Sequence, residues 1–247
     1  MKNLSNTLIA IFIMAIVFVS CSQEQDSMSG PLENLYSEMF TLKARYQGIQ
    51  YDVLCGLIEG DSIKNDSIVF LSNPAFQAIY TSEISNLPNL VTYINNDGFI
   101  EYFDTKEAIL RSGKIGSAIN TNNISEVATR AAGVMSRIKL YDDRNYKDRH
   151  LEYVVGLYNI IQKPQLRDED GFNDKTSSIK LYYLSNDTKY QAKFEGFEND
   201  TYQGRSLIMI ANTSTPNYCI SNLKRIPCGS GNWNDRITSF VYSITEN

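Results

Sequence analysis

The chain has 247 residues and a formal net charge of −5, and apolar side chains make up 43% of it. That length allows one large domain or two small ones, and the acidic balance argues against nucleic-acid binding, which usually needs a basic face. A single histidine, His150, excludes zinc sites built on two or three histidines. The 16 tyrosines favour strands over long helices.

The first 20 residues have the pattern of a secretory signal peptide. Lys2 precedes an apolar run from Leu8 to Val19, which is too short to cross a bilayer core of about 30 Å. The run ends in Phe-Val-Ser-Cys, which resembles the lipobox of bacterial lipoproteins. The resemblance implies cleavage before Cys21 and lipidation of that cysteine. An ordinary signal peptide is the alternative.

The polar, acidic stretch over residues 21–29 is predicted to be a lipidated tether. It resembles the export tethers of lipoproteins that some Gram-negative bacteria display on the cell surface. We therefore expect a lipoprotein of the bacterial cell envelope, attached to the outer membrane by its lipid anchor and exposed at the cell surface.

Three further cysteines, Cys55, Cys219 and Cys228, would lie in an oxidising compartment, where disulfides persist. We predict a disulfide between Cys219 and Cys228, which would close a short loop and stabilise it by about 2–3 kcal/mol. Two separate thiols are the alternative. Cys55 has no evident partner and is predicted to be buried.

Residues 30–135 are predicted to form a mixed α and β domain of unknown role. The apolar spacing from Leu32 to Met39 suits a helix, and Asn96-Asp97-Gly98 suits the turn of a hairpin, with a helix as the alternative. The other expected elements are a strand over residues 66–72, a helix from Asp104 with Glu107 at capping-box spacing, and a helix over residues 122–135. The helix that contains Leu32 to Met39 is expected to run from Ser29 to Gly48.

The second half of the chain contains an internal repeat. At a shift of 56 residues, aromatic, arginine and leucine positions coincide: Tyr141 with Phe197, Tyr146 with Tyr202, Arg149 with Arg205, and Leu151 with Leu207. Each unit then ends in an Asn-Asp run, "NDKTSS" from Asn173 and "NDRITS" from Asn234. A repeat of this kind is stronger evidence about the fold than any single predicted helix or strand.

These motifs resemble those of the βγ-crystallin family. The family's Greek-key unit has two aromatic residues separated by four others, then one residue and a glycine, as in "YDDRNYKD" and "FENDTYQG". The first copy has Asp148 in place of the glycine, at a position that needs a positive φ, which Asp tolerates. The resemblance implies an all-β Greek-key sandwich over residues 136–247, following the α+β N-terminal domain. Trp233 and Phe172 are expected to pack beneath the loops.

The same resemblance implies two calcium sites, because both Asn-Asp runs match the family's calcium signature. Carboxylate, hydroxyl and carbonyl oxygens are the ligands that Ca²⁺ prefers. The implied ligands are the side chains of Asp174, Asp235, Ser177 and Thr238, and the backbone carbonyls of Lys175, Arg236, Arg144 and Asp200.

The sequence therefore predicts a calcium-binding, non-enzymatic surface lipoprotein with a binding or structural role and an unidentified protein or glycan ligand. The alternative is a peptidase inhibitor, whose reactive loop would be residues 215–231 with Lys224 and Arg225. An enzyme with paired carboxylates needs no histidine, so this third class stays open.

Overall fold

The protein is built mainly from β-strands, with few helices. The structure is a computed structural model that describes residues 35–60, 67–116 and 133–247. The strands of the described residues are β1 (Glu38–Tyr46), β2 (Ile49–Ile58), β3 (Ser67–Phe70), β4 (Val91–Ile94), β5 (Ile100–Phe103), β6 (Met135–Tyr141), β7 (His150–Gly156), β8 (Ile160–Lys163), β9 (Ser178–Tyr183), β10 (Tyr190–Asn199), β11 (Gln203–Ala211), β12 (Asn217–Ile220), β13 (Pro227–Cys228), β14 (Gly231–Asn232) and β15 (Ser239–Glu246). The α-helices are α1 (Pro74–Ser82) and α2 (Lys106–Arg111).

Two sheets carry the core. The larger has nine strands in the order β3-β2-β1-β5-β4-β11-β10-β15-β8, and the smaller has four in the order β12-β9-β6-β7. Strands β13 and β14 form a short ribbon. Apolar residues from both sheets share one buried cluster, including Leu140, Leu181, Phe194 and Phe240. This arrangement is consistent with a β-sandwich.

The two repeats exchange one strand each. Strands β6, β7 and β9 of the first repeat share a sheet with β12 of the second, which pairs with β9. Strands β10, β11 and β15 of the second repeat share the other sheet with β8 of the first, which pairs with β15. Neither repeat therefore forms a complete sheet alone. Trp233 and Phe172 are both buried and belong to the main core cluster.

The helix expected over residues 29–48 is wrong for its described part, because residues 38–46 form β1. Leu42, Ala44 and Tyr46 are buried and alternate with more exposed neighbours, which is the period of a strand. Gly48 has a φ of 80° and forms the turn to β2, with which β1 pairs along its whole length. The pairing of β1 with β2 outweighs the helical spacing of the apolar residues in this segment.

The other described N-terminal elements follow the sequence more closely. Strand β3 lies inside the predicted stretch, and β4 and β5 form the predicted antiparallel hairpin. Helix α2 is present, but its cap is Thr105, whose Oγ1 accepts a hydrogen bond from the Ala108 amide at 3.3 Å. The helix expected over residues 122–135 lies outside the described residues, except for its last residues, of which Met135 begins β6.

The N-terminal strands join the sandwich through backbone pairing. Strand β4 pairs in parallel with β11, so the predicted boundary at residues 135–136 separates segments that share one sheet. Phe76 and Tyr80 of α1 belong to the main core cluster, whereas Ile109 of α2 packs in a second cluster with Tyr93 and Ile208. Among the described residues, no helix is long and apolar enough to cross a membrane.

Candidate calcium sites

The repeat seen in the sequence is matched by repeated backbone geometry. Asp174 and Asp235, at equivalent places in the two Asn-Asp runs, have φ values of 50° and 52°. Asp148 has a φ of 62° and its glycine counterpart Gly204 has 79°, so the predicted positive φ at Asp148 is confirmed. Asp and Gly are among the few residues that adopt this conformation at low cost.

One serine in each repeat ties the end of the Asn-Asp run to a hairpin. Ser178 is fully buried, and its Oγ donates to the Asp143 carbonyl at 2.7 Å and accepts from the Tyr146 amide at 3.1 Å. Ser239 makes the same two bonds, at 2.6 and 3.1 Å, with the equivalent residues Asn199 and Tyr202. The two loops are therefore built in the same way.

Backbone hydrogen bonds also hold each run against the other repeat. The Leu223 amide donates to the Ser177 carbonyl at 2.9 Å, and the Leu166 amide donates to the Thr238 carbonyl at 2.7 Å. Because Leu223 belongs to the second repeat and Ser177 to the first, these bonds cross between the units. The loops thus form at the boundary of the two repeats, where a shared ligand set would have to lie.

One hydrogen bond brings two of the predicted calcium ligands, Ser177 and Asp235, together. Ser177 Oγ donates to Asp235 Oδ1 at 2.9 Å, and the Asp235 amide donates to the Thr176 carbonyl at 3.0 Å. The hairpin turn that carries Arg144 lies alongside, since the Ser177 amide bonds to the Tyr141 carbonyl at 2.8 Å. We call this group, with Asp235, Ser177 and the carbonyls of Arg144 and Lys175, site 1.

The carboxyl group of Asp235 is desolvated. Burial raises the pKa of Asp235 from 3.8 to about 6, while the hydrogen bond from Ser177 lowers it and the nearby Asp142 raises it further. A carboxylate that is costly to leave unpaired is stabilised by a cation. The side chain that sequence reasoning missed here is Asp142, although the 56-residue shift matches it with another acid, Glu198.

The second predicted group, which we call site 2, contains Asp174, Thr238 and the Asp200 carbonyl. Thr238 Oγ1 is buried without a hydrogen-bond partner in the described structure, so Thr238 lacks the contact that Ser177 makes with Asp235. A buried hydroxyl without a partner is unusual and suits a ligand position. Asp174 itself is exposed.

Positive side chains occupy the surroundings of site 2. Arg236 Nη1 contacts Glu198 Oε1 at 2.7 Å, and Arg167 Nη2 lies 3.3 Å from the carboxylate of Asp200. At site 1 the position of Arg236 is taken by Lys175, which is exposed. Cations lie near site 1 as well, since Arg149 pairs with Asp142 at 2.7 Å and Lys224 acts on Asp235. Site 1 is the better assembled of the two, because Ser177 and Asp235 are already in contact there.

The predicted disulfide between Cys219 and Cys228 is wrong, because Cys228 is a free, buried thiol. Cys219 lies on β12 next to Tyr218, and Tyr218 packs in the core. Since neighbouring strand residues point to opposite faces, Cys219 points to the outer face of the four-stranded sheet, while Cys228 belongs to the core. Cys55 is buried, as predicted. Cys21, the predicted lipidation site, lies outside the described residues.

Two further carboxylates are buried, but they do not form a catalytic pair. Glu101 and Glu195 lie on one row across the nine-stranded sheet, separated by Tyr93 and Ile208 on the two strands between them. Three strand spacings are about 14 Å, beyond the roughly 9.5 Å limit of paired glycosidase carboxylates. Each also has a lysine partner, at 2.7 Å for Glu101 and 2.8 Å for Glu195.

Comparisons with protein-family models, with curated proteins and with solved structures found no match to the chain.

Across residues 35–60, 67–116 and 133–247, no three His, Cys, Asp or Glu side chains gather as a metal-binding group. Sites 1 and 2 rely instead on one carboxylate each, supplemented by hydroxyl and carbonyl oxygens. The residues of site 1 fit a hard cation such as Ca²⁺, which accepts such mixed oxygen ligands.

Proposed function

We propose that this chain is a calcium-binding, non-enzymatic lipoprotein of the bacterial cell envelope, with a βγ-crystallin-like domain over residues 136–247. In this proposal each repeat is one Greek key, and the strand exchange between sheets locks the two keys together. Cys21 would carry the lipid anchor in the outer membrane. The protein would serve a binding or structural role at the cell surface, with calcium stabilising its fold.

The observation that carries the proposal is the contact of Ser177 with Asp235. These two side chains are 58 residues apart and come from different repeats, yet the fold brings a hydroxyl and a half-buried carboxylate within 2.9 Å. Asp235 Oδ2 also accepts from the Asn234 side chain at 2.7 Å. A calcium ion at site 1 would be held by Asp235, Ser177 and the carbonyls of Arg144 and Lys175.

The inhibitor alternative is less well supported. Its reactive loop would need Lys224 and Arg225 to project into solvent. Instead the Lys224 side chain is 13% exposed and bonds Glu59 at 3.0 Å, while Arg225 pairs with Glu38. Both cations pair with acids of the N-terminal segment, and binding in a peptidase pocket would have to break those pairs.

The proposal is tested by calcium calorimetry on the mature chain, with thermal melts in Ca²⁺ and in EDTA. We expect two binding events, a higher melting temperature in Ca²⁺, loss of the stronger event in Asp235→Asn and of the weaker in Asp174→Asn. Saturation at 100 times the Kd would add about 2.7 kcal/mol to the free energy of unfolding. Asp52→Asn, an exposed residue on β2, is the matched control.

Absence of binding heat and of a thermal shift at about 10 mM Ca²⁺, above the range of weak extracellular calcium modules, would refute the calcium function. Equal loss of binding in Asp52→Asn would show that general charge, rather than the two sites, attracts the ion.

A further inference from the structure

The N-terminal strands contact the calcium loops through two acidic side chains. Glu59 Oε1, just after β2, accepts from Arg144 Nη1 at 2.9 Å and from Lys224 Nζ at 3.0 Å. Glu38, at the start of β1, pairs with Arg225 and accepts from the Asn222 side chain at 3.2 Å. We call Glu38 and Glu59 the acid clamp.

The segment held by the acid clamp forms one wall of site 1. A 3₁₀ turn at Leu223–Arg225 places the Leu223 amide against the Ser177 carbonyl at 2.9 Å. Arg144, the other cation that Glu59 binds, supplies a predicted carbonyl ligand of site 1. Glu59 therefore joins the two segments that flank the site, one from each repeat.

Site 2 has a different arrangement at the equivalent position. Its 3₁₀ turn is Leu166–Asp168, and Arg167 of that turn pairs with Asp200, which belongs to the repeats themselves. The neighbouring Lys163 likewise pairs with Glu169 at 2.6 Å. Since these partners come from residues 136–247 and do not include Glu59, site 2 is an internal control for the effect of Glu59.

Lys224, which Glu59 of the acid clamp binds, acts on the ligand carboxylate. Lys224 lies close enough to Asp235 to favour its ionised form, as does Lys175. A calcium ion at site 1 would be repelled by Lys224 and Arg144, and Glu59 neutralises part of that charge. Without Glu59, less of the positive charge of Lys224 and Arg144 would be neutralised, and calcium would bind site 1 more weakly.

We propose that Glu59 sets the calcium affinity of site 1, so that the N-terminal strands regulate the calcium site of the repeats. This inference rests on the proposed calcium function. By reciprocity, calcium at site 1 strengthens the docking of the N-terminal strands, because any coupling between two equilibria acts in both directions. The role is electrostatic, and it gives the N-terminal half a function that its sequence does not reveal.

The experiment is calcium calorimetry on the full mature chain carrying Asp174→Asn, so that the heat reports site 1 alone. In that background Glu59→Gln should weaken binding about fivefold, as expected for one charge acting on a divalent ion across a hydrated gap. Lys224→Met should strengthen binding by a similar factor. Glu83→Gln, an exposed acid that follows α1, is the matched control and should leave binding unchanged.

The double variant Glu59→Gln with Lys224→Met separates electrostatics from damage to the fold. It should bind calcium within about twofold of the parent, since it removes one charge of each sign. Failure of the double variant to recover would overturn the inference, as would equal weakening of site 2 by Glu59→Gln in an Asp235→Asn background. If the parent binds calcium and Glu59→Gln leaves the affinity of site 1 unchanged, only the inference about Glu59 fails. If the parent binds no calcium, both the proposed calcium function and this inference fail.

Discussion

Burial of the Asp235 carboxyl group should make the calcium-free protein sensitive to pH. The pKa of this group is about 6 in the folded chain against 3.8 for an unperturbed aspartate. The folded state therefore keeps the proton to a higher pH than the unfolded state does. By proton linkage, the stability that Asp235 contributes in its neutral form is present below 3.8 and is lost as the pH rises through about 6.

We predict that Asp235→Asn removes this dependence and makes the protein more stable than the parent in EDTA at neutral pH. Asn keeps the shape of Asp and tolerates the positive φ, but it carries no charge to desolvate. Urea unfolding in EDTA at several pH values measures the difference between variant and parent. A constant difference across that range would contradict the prediction.

The two buried serine tethers should contribute equally to stability. Ser178→Ala would leave the Tyr146 amide and the Asp143 carbonyl without their bonds, and we expect a loss of about 2 kcal/mol. Ser239→Ala breaks the equivalent pair and should cost about the same. Urea unfolding at fixed calcium gives both values. A threefold difference between the two free energies would show that the repeats are not energetically equivalent.

At the scale of elements, the turns could be predicted from the local sequence, whereas the pairing of strands that are distant in the sequence could not. The positive φ at Asp148 follows from a turn that excludes most residues, and the β4–β5 hairpin follows from Asn96-Asp97-Gly98. The segment over residues 29–48 has helical apolar spacing as far as Met39. Its described part becomes β1, because β2 and β5 supply hydrogen-bonding partners on both sides.

The composition of the candidate sites was predictable only in part. The Asn-Asp runs identify Asp174 and Asp235 by their motif, and the fold places Asp235 against Ser177. Nothing in the local sequence shows that Glu59 would reach Lys224, which is 165 residues away. The Cys219–Cys228 prediction failed for a related reason, since closeness in sequence does not determine which face of a sheet each cysteine side chain occupies.

At the scale of the whole molecule, the N-terminal strands share the nine-stranded sheet with four strands of the repeats. Residues 91–94 of β4 pair with residues 206–209 of β11. Side chains cross the same seam: Trp233 Nε1 donates to Thr92 Oγ1 at 3.1 Å, and the Tyr80 hydroxyl donates to the Gly229 carbonyl at 3.0 Å. Both contacts are buried, so separating the segments would expose polar groups as well as apolar surface.

We therefore predict that the described segments unfold as one cooperative unit. Fluorescence of Trp233, the chain's only tryptophan, and far-UV circular dichroism should give coincident urea transitions. Residues 136–247 alone would present β11 as an uncovered edge with buried residues such as Ile208 and Ile210, and should be less stable and prone to associate. Two separate transitions, or a fragment as stable as the full chain, would contradict this. In that case the acid clamp would join two independent domains, and calcium at site 1 would control their docking instead of the stability of one body.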